Sequence, residues 1–483
     1  MSSQIPTIRN IPVGIAETGA RLEFDSMGTI EVPAHRYWGA QTQRSLQHFN
    51  IGNDRMPIEV YHAYGYVKKA AAMVNLKLGR LPEWKAKLIM QVCDEMIAGK
   101  LDDQFPLYVW QTGSGTHSNM NVNEVIANRC IQLVGGKLGS QDPVHANDHV
   151  NMSQSSNDTF PTAMHIAGYT MATKRTIPAL KALRESLNNK AQAWKGIVKI
   201  GRTHLEDATP LTVGQEWSGY VGAIDEAIPE LERATDGLLR VAMGGTAVGT
   251  GLNAPPGFGD EVATALSQLT GYPIQTAENK FTAQATLDRM VRAHAALKTM
   301  AVTLFKIAND MRWLGSGPRT GLMEIIFPDN EPGSSIMPGK VNPTQAEAML
   351  MVCIEIMGAD VAVQMGGAEG NFELNTFRPI LINHYLRSAL NMADVCDRFR
   401  KYMIDGAQLN LEQIKNNIDR SVMMVTALSP VIGYHKASQI AHYAIDHNTT
   451  LKAAALANGV DEAIYDKVVV PINMTHPGYA DLK

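Results

Sequence analysis

The chain has 483 residues, enough for roughly three domains at about 150 residues each. Its 43 Lys plus Arg against 47 Asp plus Glu leave a net charge of −4, without the basic excess of an electrostatic nucleic-acid binder. Apolar residues at 45% exclude a disordered chain, and only 19% charged residues leave surface for subunit contacts. Cys93, Cys130, Cys353 and Cys396 are too widely spaced for a metal or redox motif and read as reduced thiols. The longest uncharged stretch, Val241 to Gly259, carries six glycines and the Pro255-Pro256 pair and is unfit to span a membrane. The first twenty residues hold neither a secretory apolar core nor an Arg-rich amphipathic pattern, so the expected location is cytoplasmic.

In chain order, Leu22 and Phe24 alternate with Arg21, Glu23 and Asp25, and Asp25-Ser26-Met27-Gly28 forms a turn before Ile30-Glu31-Val32. This hairpin is the one convincing strand pair. Helical spacing dominates the rest. A long helix runs from about Pro161 to Trp194, with Asn157 or Asp158 as its cap, Pro161 in its first turn and a kink at Pro178. Further long helices are expected over Thr212 to Met243, Leu287 to Leu314 and Thr344 to about Met365. The Leu287–Leu314 helix, with apolar residues at steps of three and four, is about 42 Å long. Helices of this length pack most simply as a bundle, whose remaining apolar faces paired chains would cover. The expected division is an N-terminal domain over 1–152, a central long-helix bundle over 153–410, and a small helical C-terminal domain over 411–483.

Three polar, glycine-bearing segments interrupt the helices: Gln111 to Asn128, Ile200 to Pro210, and Glu331 to Pro343. The last is not a nucleotide P-loop, because five residues separate Gly333 from Gly339 and Val341 stands where Ser or Thr would meet magnesium. It reads either as a mobile surface loop or as an anion site built from backbone N–H groups and Lys340. Thr344-Gln-Ala-Glu347 matches a capping box. Thr112-Gly-Ser-Gly-Thr116 is a natural carboxylate seat at a helix start, and Asn119, Asn121, Asn123 and Asn128 behind it suit a buried polar network. His204 stands among polar residues in an expected loop. His145-Ala-Asn-Asp148 and Ser155-Ser-Asn157 precede the Pro161 helix, where capping is the simplest role. No histidine pair has a metal-ligand spacing, so no metal site is expected.

Taken together these runs resemble the fumarase/aspartase superfamily, and within it the cofactor-independent class II fumarate hydratases. The resemblance extends from Trp38-Gly-Ala-Gln-Thr-Gln-Arg44 to the C-terminal region. Gly333-Ser-Ser-Ile-Met-Pro-Gly-Lys-Val-Asn-Pro343 resembles the long superfamily signature. Pro338-Gly339 and Thr203-His204 are similar to the hydratase forms rather than to those of aspartate ammonia-lyases. The rivals are an aspartate ammonia-lyase and a non-catalytic oligomer of the same fold.

This resemblance implies a mainly α, three-domain fumarase/aspartase-like fold with a central bundle of long helices and a small N-terminal hairpin. It implies a homotetramer whose active sites each draw on three subunits, a small dicarboxylate substrate (fumarate or L-malate), and no cofactor. Residue by residue, Ser334 matches the catalytic base, His204 the acid or water-activating partner, and Glu347 its neighbour. Ser114, Gly115, Thr116, Ser155, Ser156, Asn157, Thr203, Ser335, Lys340, Val341 and Asn342 match substrate-contacting positions. His145, Ala146, Asn147 and Asp148 match a second dicarboxylate site, but Ala146 replaces a common proline and Asp142 stands where a basic residue would help. Weaker binding is expected there.

Overall fold

The computed structural model describes residues 6–478, and its secondary structure is mainly helical. The expected N-terminal hairpin is present, Ala20–Asp25 pairing antiparallel with Gly28–Pro33 and Asp25 facing Gly28 across the turn. On its first strand the buried face is the polar one, and the second strand adds buried Val32 to the same face. Glu23 is covered, bonded to Arg21 and Asn128, while Leu22 and Phe24 face outward.

Helix starts follow local chemistry more closely than the periodicity implied. The first long segment opens at Ser155, whose hydroxyl accepts from Asn157 N–H while the Asp158 carboxylate accepts from Ser155 N–H, a full capping box. The cap is therefore two or three residues earlier than Asn157 or Asp158, because only a residue in extended conformation can turn its side chain back over the first amides. The segment runs as Ser156–Met171 and Ile177–Ala193, joined by a widened i→i+5 turn over Ala172–Thr176. Pro178 follows directly. Its missing N–H and bulky ring are accommodated by that wider turn rather than by a break. The Thr212–Met243 expectation shortens to Val213–Asp236, since Gly237 begins a tight turn into a two-residue strand. Asp288–Leu314 and Thr344–Ala368 appear close to the expected bounds, and Arg378–Phe399 is a further long helix that the sequence reading passed over.

The single-hairpin expectation is corrected. Val198–Thr203 and Glu206–Thr212 form a second antiparallel hairpin, and two-residue pairs join Arg240–Val241 to Gln275–Thr276 and Ile325–Ile326 to Gln408–Leu409. This hairpin takes in the Ile200–Pro210 segment expected as a loop, whose strands carry few alternating apolar residues.

The described residues pack into two compact units, each assembled from separated stretches. The first holds the chain up to Ile177, Glu230–Thr299 and Glu355–Asn391. There Ile58–Lys77 packs on Glu83–Ile97, Ser156–Met171 and Phe258–Thr270, burying Val60, Val67 and Val74 at roughly 1.5–3 kcal/mol each. The asparagines of Thr116–Leu133 form the expected buried network. Asn121 donates to Gln104 O at 3.0 Å, and Asn128 to Tyr37 O at 2.9 Å. Glu124 closes the start of Ala40–His48, accepting from the N–H groups of Gly39, Gln41 and Thr42 and from the Thr42 hydroxyl.

The second unit holds Pro178–Pro229, Met300–Ile354 and the chain from Met392 onward. Its C-terminal core joins Leu428, Ile440, Ala454 and Ala455 to Ile200 of the second hairpin. The four cysteines are all buried and unpaired.

Candidate active site

In the first unit, two helix N-termini meet through hydroxyls. Gly115, in left-handed conformation at φ +80°, caps Thr116–Leu133; a Cβ there would lie 2.2 Å from the Phe160 ring, so glycine is required twice over. Gly113 is similarly constrained, since a Cβ would overlap the Thr376 carbonyl oxygen at 1.4 Å. The Ser114 Oγ lies 2.8 Å from Thr116 Oγ1, which is 2.6 Å from Ser156 Oγ on the neighbouring helix start. Asn157 is fixed by donating to Ala247 O at 2.7 Å. A string of hydroxyls at two positive helix ends has the chemistry to seat a carboxylate.

Behind this seat lies Asp158, fully buried. Its carboxylate accepts from Ser155 N–H at 2.9 Å, Thr246 N–H at 2.9 Å and Gly244 N–H at 3.3 Å. Burial pushes its carboxyl up to about 6, opposed by those bonds and by Lys68. The Lys68 ammonium, itself fully buried, donates to Asn119 Oδ1, Asn151 Oδ1 and Gln154 Oε1 at 2.8–3.1 Å. Neither residue was singled out for function from the sequence. Asp158 looked like a cap, and Lys68 sits inside a helix with no motif around it.

In the second unit, His204 stands at the tip of the 198–212 hairpin with Leu205. Both have positive φ, 60° and 65°, and Thr203 faces Glu206 across them. Two left-handed residues define a type I′ turn, normally built from Asn and Gly. The cost of roughly 1 kcal/mol per residue is borne by the anchored root. There Lys199 pairs with Glu216 and Glu324, and Arg202 pairs with Glu324. The His204 and Thr203 side chains are exposed, and the His204 ring has no hydrogen-bond partner among the described residues.

The 331–343 loop is also in this unit and is internally closed. Gly333 N–H donates to Lys340 O at 2.7 Å, Asn342 Nδ2 donates back to Gly333 O at 2.7 Å, and Lys340 Nζ donates to Asn342 Oδ1 at 2.5 Å. The Ser334 Oγ accepts from Ile336 N–H at 3.2 Å and Met337 N–H at 3.0 Å. Ser335, Lys340 and Val341 are exposed.

The expected capping box at Thr344 does not form. Its two backbone donors go elsewhere, Thr344 N–H to Asn342 O at 2.9 Å and Glu347 N–H to Pro343 O at 3.1 Å, the Thr344 hydroxyl donates to the Glu331 carboxylate, and the Glu347 carboxylate has no hydrogen bond among the described residues. Glu347 lines a cavity of about 750 Å³ together with Lys340, Val341, Asn342 and Arg312. Within one chain no hydrogen bond or ion pair links His204 to Glu347 or to Ser334.

His145 plays a structural part. Its Nδ1 accepts from Asn147 N–H at 3.2 Å and Asp148 N–H at 3.1 Å, capping the short turn Ala146–Val150. The adjoining cavity of about 400 Å³ is lined by His145, Ala146 and Asn147 together with Glu23, Asp25 and Glu124, and by no lysine or arginine. Among the described residues no group of three His, Cys, Asp or Glu side chains is arranged to hold a metal.

The family described as Lyase matches residues 28–358, and the one described as Fumarase C C-terminus matches residues 424–476. A protein of Methanosarcina acetivorans named fumarate hydratase class II is 61% identical over 480 residues, 99% of each chain. Its namesake from Thermosynechococcus vestitus is 57% identical, over 92% of this chain and 95% of its own. A solved class II fumarase of Schistosoma mansoni superposes with a TM-score of 0.93 at 40% identity, covering 95% of this chain and 100% of that one.

Proposed function

The chain belongs to the class II fumarate hydratases of the fumarase/aspartase superfamily, and from that premise we propose how its residues carry out the reversible hydration of fumarate to L-malate. Its mainly helical fold is that of the superfamily. In the dehydration direction a proton leaves the carbon alpha to one carboxylate, and that group becomes a doubly charged aci-carboxylate. The protein must therefore supply a base, donors for the new charge, and an acid for the departing hydroxyl.

Ser334 is our base. A free hydroxyl is far too weak for the task, but Ser334 Oγ already accepts two backbone N–H groups. These donors strengthen as the oxygen gains charge, and such preorganised bonds are worth roughly 3 kcal/mol each. This observation carries the reading. Lys340 and Asn342, held against each other at the loop base, are suited to receive the aci-carboxylate, with Ser335 and Val341 shaping the same edge. The hydroxyl string of Ser114, Thr116 and Ser156, with Gly115, Ser155 and Asn157, seats the other carboxylate. His204 and Glu347 serve the hydroxyl end through a water, with Thr203 beside the ring. The unpartnered Glu347 carboxylate and the exposed, strained His204 suit residues that complete their contacts elsewhere.

We further propose that this completion occurs in a homotetramer, with each site drawing on three subunits. Support comes from Met351, Ile354, Val361 and Met365, which leave one face of the apolar Thr344–Ala368 helix uncovered in the single chain. A reducing, cytoplasmic setting is proposed on the four unpaired, buried thiols.

The test follows the ultraviolet rise of fumarate when purified protein meets L-malate, with L-aspartate in parallel. Ser334→Ala should lower kcat by about 10²–10⁴ while leaving the assembly intact. Wild-type turnover by that variant would remove Ser334 from the mechanism, and a response to aspartate alone would point to the ammonia-lyase.

A further inference from the structure

Arg378 opens the helix Arg378–Phe399 and is completely buried. Its guanidinium touches only carbonyl oxygens, donating from Nη2 to Gln284 O at 2.9 Å and from Nη1 to Ser114 O at 3.4 Å. Its own N–H donates to Gly113 O at 3.2 Å, and its Nε has no partner at all. It forms no ion pair among the described residues.

Three features make this an expensive place for a cation. A charge is removed from water without a contacting counter-ion, one donor is left unsatisfied, and the residue stands at the positive end of its own helix. Burial accordingly pulls its guanidinium down to about 10. Tyr64 and then Asp158 act on it through space, and the Asp158 carboxylate already accepts three N–H groups and acts on Lys68 as well. Arg378 and Lys68, the latter pulled down to about 7 by burial, thus share one buried carboxylate. The excess positive charge lies directly beneath Ser114, against its carbonyl.

We infer that Arg378 is a positioning residue for the substrate, its uncompensated charge held under the Ser114–Thr116 turn so that one carboxylate of the dianion supplies the missing counter-charge through space. The inference rests on the reading that this turn seats the substrate. It explains why a cation is kept where packing alone would favour an apolar side chain. Arg378 does not reach the reacting atoms, so its effect belongs to binding more than to turnover.

The test uses the assembled enzyme with Arg378→Gln, which keeps a donor for the carbonyls but no charge, and Arg378→Lys, which keeps the charge. Arg378→Gln should raise KM for L-malate and the inhibition constant of succinate roughly tenfold, with kcat changed less than about threefold. Arg378→Lys should stay within about threefold of wild type in both. If Arg378→Gln does not assemble, Arg378→Met replaces it, and removal of an unpaired buried charge should leave its ligand-free Tm at or above wild type. An uncharged variant with wild-type KM, or a lysine variant as impaired as the uncharged one, overturns the inference. Ser114→Ala separates the two levels. Raised KM there with unchanged KM in Arg378→Gln sinks Arg378 alone, whereas unchanged KM in Ser114→Ala sinks the seat itself.

Discussion

Asp158 offers the sharpest test of how the carboxylate seat is held. One of its oxygens accepts from Ser155 N–H and the other from Thr246 and Gly244 N–H, and no part of it reaches solvent. In Asp158→Asn one oxygen becomes an amide that donates. The new side chain loses least by keeping its oxygen on Thr246 and Gly244, so Ser155 N–H is orphaned against a donor. Leaving one buried N–H unsatisfied costs about 1–3 kcal/mol. The loss falls on the capping box that aims Ser155, Ser156 and Asn157, so KM for malate should rise more than kcat falls. A pH signature accompanies it. The wild-type carboxyl sits at about 6 in the folded chain against 3.8 in its ordinary range, so between those values the folded state holds a proton that the unfolded state has released. Stability therefore falls as pH rises from about 4 to 6, by roughly 3 kcal/mol in total. Asparagine does not titrate. Calorimetric unfolding of both proteins from pH 4.5 to 8 should show the wild-type advantage largest at the acid end and shrinking as pH rises. An advantage that grows with pH would refute the reasoning, because it would mean that the three N–H donors outweigh burial and hold the carboxyl below 3.8.

Gly115→Ala should destabilise by roughly 2–4 kcal/mol and abolish activity, since the new Cβ combines a left-handed backbone with a 2.2 Å approach to Phe160; an unchanged Tm would contradict the packing. Leu205→Gly should stabilise the hairpin by about 1 kcal/mol, because the Leu205 side chain is exposed and its φ is +65°. A fall in Tm would show that Leu205 contacts a partner that the single chain lacks. For the cavity beside His145, equilibrium titration of the Ser334→Ala protein with succinate should reach one ligand per chain. Two per chain would show that a dianion tolerates Glu23, Asp25 and Glu124 around it.

What could be read ahead of the structure follows a physical division between local and non-local causes. The Asp288–Leu314 helix was legible because its apolar residues repeat at the helical period over many turns, and the 20–33 hairpin because Asp-Ser-Met-Gly is a turn by itself. The His204 hairpin was not, since His-Leu has no intrinsic preference for a type I′ turn; its conformation is imposed by Ile200 in the C-terminal core and by the Lys199 and Arg202 ion pairs at its root. The same division runs through the candidate site. Ser334, Lys340 and Asn342 stand within one short loop, so their resemblance to a known signature was complete in the sequence. Lys68, Asp158 and Arg378 come from three distant parts of the chain, each looking like an ordinary helical or capping residue, and only burial turns them into a coupled set. A buried charge has no sequence motif, because the cost that makes it informative is incurred by its surroundings. The residues proposed to touch substrate were therefore open to recognition, while those proposed to set the charge beneath it had to be found from depth and distance.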